Sequence, residues 1–358
     1  EQGTLSACFV LPLEDSMEGI MKAATDAAMV QKFGGGTGFA LSKIRPRGDR
    51  IKTTHGIACG PIEVLKTLSR VSSMITQGGK RDGANMAVMA IDHPDILDFI
   101  DCKSIEGEIH NFNISVGVTT RWMAHVLKDA DYPLINPKTK EVAGYLNARE
   151  VFNKIVEGAW KNGEPGMIFL DEVNRDNHVV EQFGEMIATN PCGEQPLLGN
   201  ESCNLGSINL AKFYTGKESD YGQHSAWWSE KINWDRLEKV TRISTRFLDN
   251  VIDANYYATE DIEQMTKATR KIGLGVMGFA DLLIQLKVPY ASKLAREIGG
   301  KLILAIRQWS DDESLRLGVI RGTFPAWDKS TYKITEAYRN HCRLTVAPTG
   351  TISMIADT

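Results

Sequence analysis

Asn190-Pro191-Cys192-Gly193-Glu194, followed closely by Glu201-Ser202-Cys203-Asn204-Leu205-Gly206, puts an amide, two thiols and a carboxylate into one short segment punctuated by glycine and proline. This is the outline of a reaction centre. A cysteine can be a nucleophile, a metal ligand, a redox partner or a hydrogen-atom carrier, so the surrounding chain must select the role. The six cysteines, Cys8, Cys59, Cys102, Cys192, Cys203 and Cys342, form no C-x-x-C pair and are too sparse for a disulfide scaffold. A zinc ribbon is therefore disfavoured, and reduced thiols, some of them catalytic, fit better.

Outward from this segment the apolar pattern alternates between strand and helix. Leu5 to Leu13 reads as a strand that turns at Glu14-Asp15-Ser16 into a helix over Met17 to Gln31, with Asp15 or Ser16 as N-cap. Pro61 opens a helix that Gly78-Gly79 terminates, and Met86 to Ile91, Asn111 to Val118 and Gly166 to Leu170 read as strands. A 3.6-residue period predicts helices over Arg149 to Lys161, Asp235 to Ala254 and Lys293 to Leu317. Such alternation predicts an α/β fold. Lys212 to Trp234 has no clear period and predicts a long surface excursion.

The chain has 358 residues, a formal net charge of -4 and a pI near 6.0, which argue against a general binder of nucleic acid or of membrane surfaces. No apolar run reaches membrane-spanning length, and the first residues lack the basic and apolar regions of a signal peptide, so a cytoplasmic location is expected.

Three glycine-bearing stretches could receive a ligand. Gly273-Leu274-Gly275-Val276-Met277-Gly278 fits the dinucleotide fingerprint G-x-G-x-x-G, but it follows the polar, basic stretch Thr266 to Lys271 and not a buried first strand, so it reads as a decoy. Gly34-Gly35-Gly36-Thr37-Gly38 precedes the strand-like Phe39 to Ile44; its backbone could lie against a flat ligand or simply turn. Ala347-Pro348-Thr349-Gly350-Thr351-Ile352-Ser353 follows the strand-like Leu344 to Val346 and offers backbone and hydroxyl donors to phosphate oxygens.

Taken in order, S-A-C at 6–8, G-G-G-T-G-F at 34–39, N-P-C-G-E at 190–194, E-S-C-N-L-G-S-I-N-L at 201–210, R-K-I-G-L-G-V-M-G-F at 270–279 and A-P-T-G-T-I-S at 347–353 resemble the ribonucleotide reductases over almost the whole chain. The resemblance is greatest to the adenosylcobalamin-dependent, class II form. The class I catalytic subunit, which takes its radical from a partner protein, shares the plan and is the runner-up. The resemblance implies a ten-stranded α/β barrel with a central finger loop, here one partial domain over 1–358.

By this resemblance Cys192 is the thiyl-radical cysteine that takes the ribose 3'-hydrogen. Glu194 is the base for the 3'-hydroxyl proton, and Asn190 holds the ribose hydroxyls. Cys8 and Cys203 are the thiol pair that supplies two electrons, which requires their α-carbons to come within about 7 Å. Ser6, Gly35, Gly36 and the turn Pro348, Thr349, Gly350, Thr351, Ile352 and Ser353 match substrate contacts. Asp15, Ser16, Met17 and Arg45 match contacts to a dNTP or ATP effector, with Lys103 to Phe112 as a mobile relay loop. Cys59, Cys102 and Cys342 are left as packing residues. The implied partners are a ribonucleotide, a thioredoxin- or glutaredoxin-type reductant and a second copy of the chain.

The sequence ends at Ile355-Ala356-Asp357-Thr358, just past the phosphate turn. It is therefore expected to be a piece lacking the family's N-terminal region and last strands, completed by a C-terminal continuation and inactive alone. A nucleotide-binding regulatory piece without turnover is the reading from another class. The joint presence of Cys8, Cys192 and Cys203 with Asn190 and Glu194 favours the enzyme.

Overall fold

The computed structural model describes residues 3–51, 55–77, 81–104, 107–216 and 226–358. The chain divides into two compact units, Glu1–Ser202 with Tyr256–Met265, and Cys203–Asn255 with Thr266–Thr358. Each unit has its own apolar core.

The first unit begins with β1 (Cys8–Leu11), four residues buried on both faces as a parallel strand under helices must be. Helix α1 (Met17–Lys32) follows, and Ser16 is its cap: the Gly19 N–H donates to Ser16 Oγ at 3.0 Å. The helix buries Ala23, Ala24, Ala27 and Val30. Strand β2 (Gly36–Ala40) starts earlier than expected and gives way at Leu41–Lys43 to a 3-10 turn. There the Ala90 N–H donates to Ser42 Oγ at 2.8 Å, so a side chain replaces the backbone acceptor and the ladder stops.

Helix α2 (Pro61–Ser73), the short antiparallel pair β3 (Thr76–Gln77) and β4 (Arg81–Asp82), β5 (Asn85–Ala90), α3 (Ile96–Asp101) and β6 (Phe112–Val118) come next. Helix α4 (Thr120–Lys128), the hairpin β7 (Asp131–Ile135) and β8 (Val142–Asn147), α5 (Ala148–Asn162) and β9 (Gly166–Phe169) continue the alternation. Strands β1, β2, β5, β6 and β9 lie parallel in that order, with Cys8 opposite Gly36, Thr37 opposite Asn85, and Asn85 opposite Phe112. Gly36, Asn85 and Phe112 thus mark the leading ends of adjacent strands. At these ends Gln31, Thr37, Ser72 and Asn85 are buried and bonded to one another, Gln31 Nε2 donating to Asn85 Oδ1 at 2.8 Å, which satisfies polar groups that burial would otherwise penalise. Two short helices, α6 (Leu170–Arg175) and α7 (Val180–Phe183), lead to the antiparallel pair β10 (Ala188–Thr189) and β11 (Pro196–Leu197). The chain then runs beside β1, where the Asn200 N–H donates to the Val10 carbonyl at 2.8 Å and the Val10 N–H to the Glu201 carbonyl at 3.2 Å.

In the second unit β12 (Ser202–Asn209), whose first residue closes the first unit, pairs in parallel with β13 (Ile272–Met277). Helices α8 (Trp234–Ala254), α9 (Glu260–Thr269, its first part in the other unit), α10 (Phe279–Gln285), α11 (Lys293–Arg321) and α12 (Gly350–Ala356) complete it. The Asp249 carboxylate is fully buried. It accepts from Arg270 at 2.9 Å, Arg321 at 3.0 Å and Asn340 at 3.0 Å, partners without which a buried charge would be strongly unfavourable.

Two expectations change here. The excursion over Lys212 to Trp234 is no surface loop in its described part, since Trp227 and Trp228 are buried with Phe213 and Ile232. It is built from the 3-10 turns Leu210–Phe213 and Trp227–Lys231, which carry no 3.6-residue period; residues 217–225 lie outside the described residues. The strand expected over Leu344 to Val346 is reduced to a single parallel bridge between Leu344 and Leu274. Among the described residues no helix is long and apolar enough to cross a membrane.

Candidate active site

The hairpin of β10 and β11 carries Asn190, Cys192 and Glu194 at its tip. Its ladder is only two residues deep, so the tip depends on its own polar bonds and on what it lies against. Asn190 organises it: its N–H donates to the Gln195 carbonyl at 3.2 Å, its Oδ1 accepts from the Gln195 N–H at 3.0 Å, and its carbonyl accepts from the Gly193 N–H at 3.1 Å. Gly193 has φ 85°, a left-handed conformation that glycine adopts without penalty.

The sheet receives this loop on bare backbone. A methyl group on Gly38 would stand 1.8 Å from the Thr189 carbonyl oxygen, and one on Gly36 would stand 2.6 Å from the Pro191 ring. From β6, Asn113 Nδ2 donates to the Pro191 carbonyl at 2.7 Å. Gly36 and Gly38 therefore serve close approach of protein to protein. The N–H groups of Gly35 and Gly36 donate to Val30 at 3.1 Å and Ala7 at 2.9 Å, and Gly35 is itself packed against Phe9. A ligand contact at these glycines would have to use atoms other than those N–H groups.

Cys192 is exposed at the tip, while Glu194 is half-buried with Oε2 shielded from solvent. Cys8, buried on β1, accepts a hydrogen bond from Asn190 Nδ2 at 3.1 Å. Burial pushes the Cys8 thiol far above its ordinary pKa; the Glu194 charge adds to this, the Asn190 hydrogen bond opposes it, and Cys192 adds a smaller push upward. Cys8 is consequently a neutral thiol at physiological pH, able to give up a hydrogen. The structure thus brings together Cys8, Asn190, Cys192 and Glu194. Each amide atom of Asn190 makes one bond within the protein, and each has capacity for a second, so the ribose contact that the resemblance implies is not displaced.

Ser6 is buried, and Ser202 Oγ donates to its Oγ at 3.4 Å, so the residue before Cys203 lies against the residue two before Cys8. Cys203 opens the second unit, fully buried, its Sγ donating to the Asn204 carbonyl at 3.4 Å. In that unit the fingerprint-like glycines have structural tasks. A methyl group on Gly273 would meet Leu205 at 2.6 Å, Thr345 at 2.7 Å and Cys203 Sγ at 3.2 Å, and one on Gly275 would meet the Thr345 carbonyl oxygen at 2.2 Å. Gly278, at φ 71°, precedes α10. Pro348 to Ser353 form the entry to α12, with Thr349 left-handed at φ 56° and Pro348, Gly350, Thr351 and Ile352 exposed.

Asp15 and Arg45, expected to act side by side on an effector, bind each other. Arg45 Nε donates to Asp15 at 2.9 Å and 3.1 Å, its Nη2 stands 2.9 Å from the same carboxylate, and its backbone N–H donates there at 3.2 Å. Ser16 caps α1 and Met17 is exposed at its start. The proposed relay loop is tied down where it begins, because Lys103 Nζ pairs with Glu164 at 2.6 Å and also donates to the Phe112 carbonyl, while Asn162 Nδ2 donates to the Lys103 carbonyl at 3.2 Å. These bonds oppose the mobility expected of it; residues 105 and 106 lie outside the described residues. Of the cysteines expected to pack, Cys102 and Cys342 are half-buried, burial pushing the Cys102 thiol up to about 12, whereas Cys59 is exposed and fills no core position.

Reading the sequence missed Asn113 and Gln195, and it took Gly38 within the stretch 34–38 for a ligand contact or a turn where the structure lays the loop against it. Asn113 had a visible signal, a polar residue breaking the apolar pattern near the start of a buried strand. Gln195 had none.

A family model described as "Ribonucleotide reductase, barrel domain" matches residues 6–337. A vitamin B12-dependent ribonucleoside-diphosphate reductase of Thermoplasma acidophilum is 48% identical over 356 residues, 99% of this chain and 45% of that protein. One of Mycobacterium tuberculosis H37Rv is 43% identical over 357 residues, 99% of this chain and 49% of that protein. A vitamin B12-dependent ribonucleotide reductase of Streptomyces coelicolor is 29% identical over 361 residues, 94% of this chain and 36% of that protein. The chain spans about half the length or less of these curated relatives.

Proposed function

This chain belongs to the ribonucleotide reductase family, as the match of the barrel-domain model to residues 6–337 establishes, and on that premise we propose that it reduces ribonucleoside diphosphates to 2'-deoxyribonucleotides by a thiyl-radical route. The observation that carries the reading is the convergence of Cys8, Asn190, Cys192 and Glu194, in which the buried Cys8 sulfur accepts a hydrogen bond from Asn190 beside the loop tip.

In this reading the Cys192 sulfur takes the 3'-hydrogen atom of the ribose and later returns it. Glu194 accepts the 3'-hydroxyl proton, and its shielded oxygen favours a bond to sugar over one to bulk water. The 2'-hydroxyl leaves as water with a proton from Cys8. Cys8 and Cys203 together give two electrons and two protons and end as a disulfide, so that ribonucleotide and two thiols yield deoxyribonucleotide, water and disulfide. Asn190 holds the loop and Cys8 in register, and the phosphates are assigned to Pro348 to Ser353.

The names of the relatives imply a cobalamin. The exposed tip of the hairpin suits this, because it leaves Cys192 open to a bulky group approaching from outside the loop. When bound, adenosylcobalamin would supply a homolytically labile carbon–cobalt bond as the radical source at Cys192. A dNTP or ATP effector near Asp15, Ser16, Met17 and Arg45, a dimer, and a thioredoxin- or glutaredoxin-type reductant belong to the same proposal.

The test is nucleotide reduction by the full-length protein with and without adenosylcobalamin. Cobalamin-dependent deoxyribonucleotide formation that Cys192→Ala abolishes is expected, with a Cys8–Cys203 disulfide found by peptide mapping after turnover without reductant. Cobalamin-independent activity would favour the class I alternative, and nucleotide binding without turnover the regulatory one.

A further inference from the structure

We infer that Asn113 is a positioning residue for Cys192: it fixes the peptide plane that carries the cysteine into the loop tip. The inference rests on the reading of Cys192 as the reacting thiol and goes beyond it by naming what aims the sulfur. Proline locks its own φ through its ring, so at Pro191 the remaining backbone freedom before Cys192 is ψ. That angle sets the direction of the Pro191 carbonyl. Asn113 Nδ2 donates to that carbonyl at 2.7 Å, a short bond, while the ring of the same residue lies over Gly36 with no room for a methyl group. Ring and carbonyl are thus held from two strands, β2 and β6, and the Pro191–Cys192 peptide, planar by nature, inherits a fixed orientation.

The hairpin cannot supply this by itself, since its ladder pairs only Ala188 with Leu197 and Thr189 with Pro196. Asn190 closes the turn from within through Gln195 and Gly193, which sets its shape but not its placement on the sheet. Placement falls to Gly36, Gly38 and Asn113. Of these, Asn113 alone acts through a directional polar bond that a near-isosteric substitution can remove without changing volume. Hydrogen-atom transfer needs the reacting atoms close and aligned, and a misplacement of about 1 Å can cost about a hundredfold in rate.

The experiment uses the full-length protein and compares Asn113→Asp, which keeps the shape but loses the amide donor, with Asn113→Ala and Asn113→Gln. In Asp and Ala, kcat is expected to fall about tenfold to a hundredfold with KM changed less than about twofold, and Gln should recover part of the loss by keeping an N–H donor. A second readout needs no turnover: iodoacetamide alkylation of Cys192, followed by peptide mass spectrometry, should change at least about threefold in Asp while exposed Cys59 reacts as before. Unchanged kcat and unchanged Cys192 alkylation in Asn113→Asp overturn the inference. So does a raised KM with kcat intact, which would make Asn113 a substrate contact, or losses that merely track a lowered melting temperature. If the wild-type protein does not reduce ribonucleotides, the reductase reading fails and the alkylation arm still decides whether Asn113 places the loop.

Discussion

Strand β2 in one unit and strand β13 in the other use the same device for different ends. Each carries glycines two residues apart, Gly36 and Gly38 or Gly273 and Gly275, which place bare backbone on one face because side chains alternate along a strand. Against each face lies a second stretch of chain: the Thr189 carbonyl oxygen 1.8 Å from where a Gly38 methyl would be, and the Thr345 carbonyl oxygen 2.2 Å from where a Gly275 methyl would be. The segment over β2 leads straight into Cys192. The one over β13 leads to the turn Pro348 to Ser353, while Gly273 on the same strand faces Cys203. A glycine pair on a strand thus encodes a groove for another backbone, and what that backbone carries decides the function.

The comparison breaks first at Gly38. Gly38→Ala would drive a methyl group into backbone that cannot turn aside, with an expected cost of about 3 kcal/mol in urea unfolding and loss of detectable reductase activity. Gly275→Ala should cost about as much, yet leave the rate of Cys192 alkylation unchanged. Equal effects of the two on that rate would end the claim that the grooves serve different ends.

Gly273→Ala sharpens the contrast, because its nearest neighbours, Leu205 Cδ2 and Thr345 Cγ2, are side-chain ends that can rotate. A smaller stability cost of about 1 kcal/mol is expected, with slower disulfide formation by Cys203 in single-turnover mapping. The electrostatics on the β2 side give the next effect. Removing the charge in Glu194→Gln should lower the Cys8 thiol pKa, read as faster reaction of Cys8 with a thiol reagent at fixed alkaline pH; an unchanged rate would contradict the field assigned to Glu194.

The sign for stability follows from the same group. Cys8 has a raised pKa in the folded state, so its contribution is fully present below the ordinary value of 9.0 and is lost as pH rises above it, where the unfolded chain ionises and the folded one resists. Melting of Cys8→Ser should therefore be flatter between about pH 9 and 11 than that of the parent. The smallest effect is a control: Gly300, inside α11 with nothing within 4 Å of where a methyl group would stand, should gain about 0.5 to 1 kcal/mol as alanine.

Much of the architecture was legible in the chain. Helix α1 starts behind the Ser16 cap, and α5, α8 and α11 fall where a 3.6-residue apolar period places them, because a cap and the burial of one helix face are written locally. The 3-10 turns around Trp227 carry no such period, and their burial depends on a core assembled from distant residues. The partnering of Asp15 with Arg45 was missed for a related reason: thirty positions separate them, and two charges that could both face a ligand look in sequence the same as two that face each other.

By itself the sequence determined the family and the alternation of strand and helix, and it marked Cys8, Asn190, Cys192, Glu194 and Cys203 as the candidate site, since residue type and short-range order carry that information. The tertiary structure decided what those residues do to one another: that Asn190 bonds through its amide to Gln195 and Cys8, that burial with the Glu194 charge keeps Cys8 a thiol, and that Gly36, Gly38 and Asn113 seat the loop. Hydrogen bonds, desolvation and close contact act over a few ångströms in space, and chain order does not record which distant residues folding brings within that range.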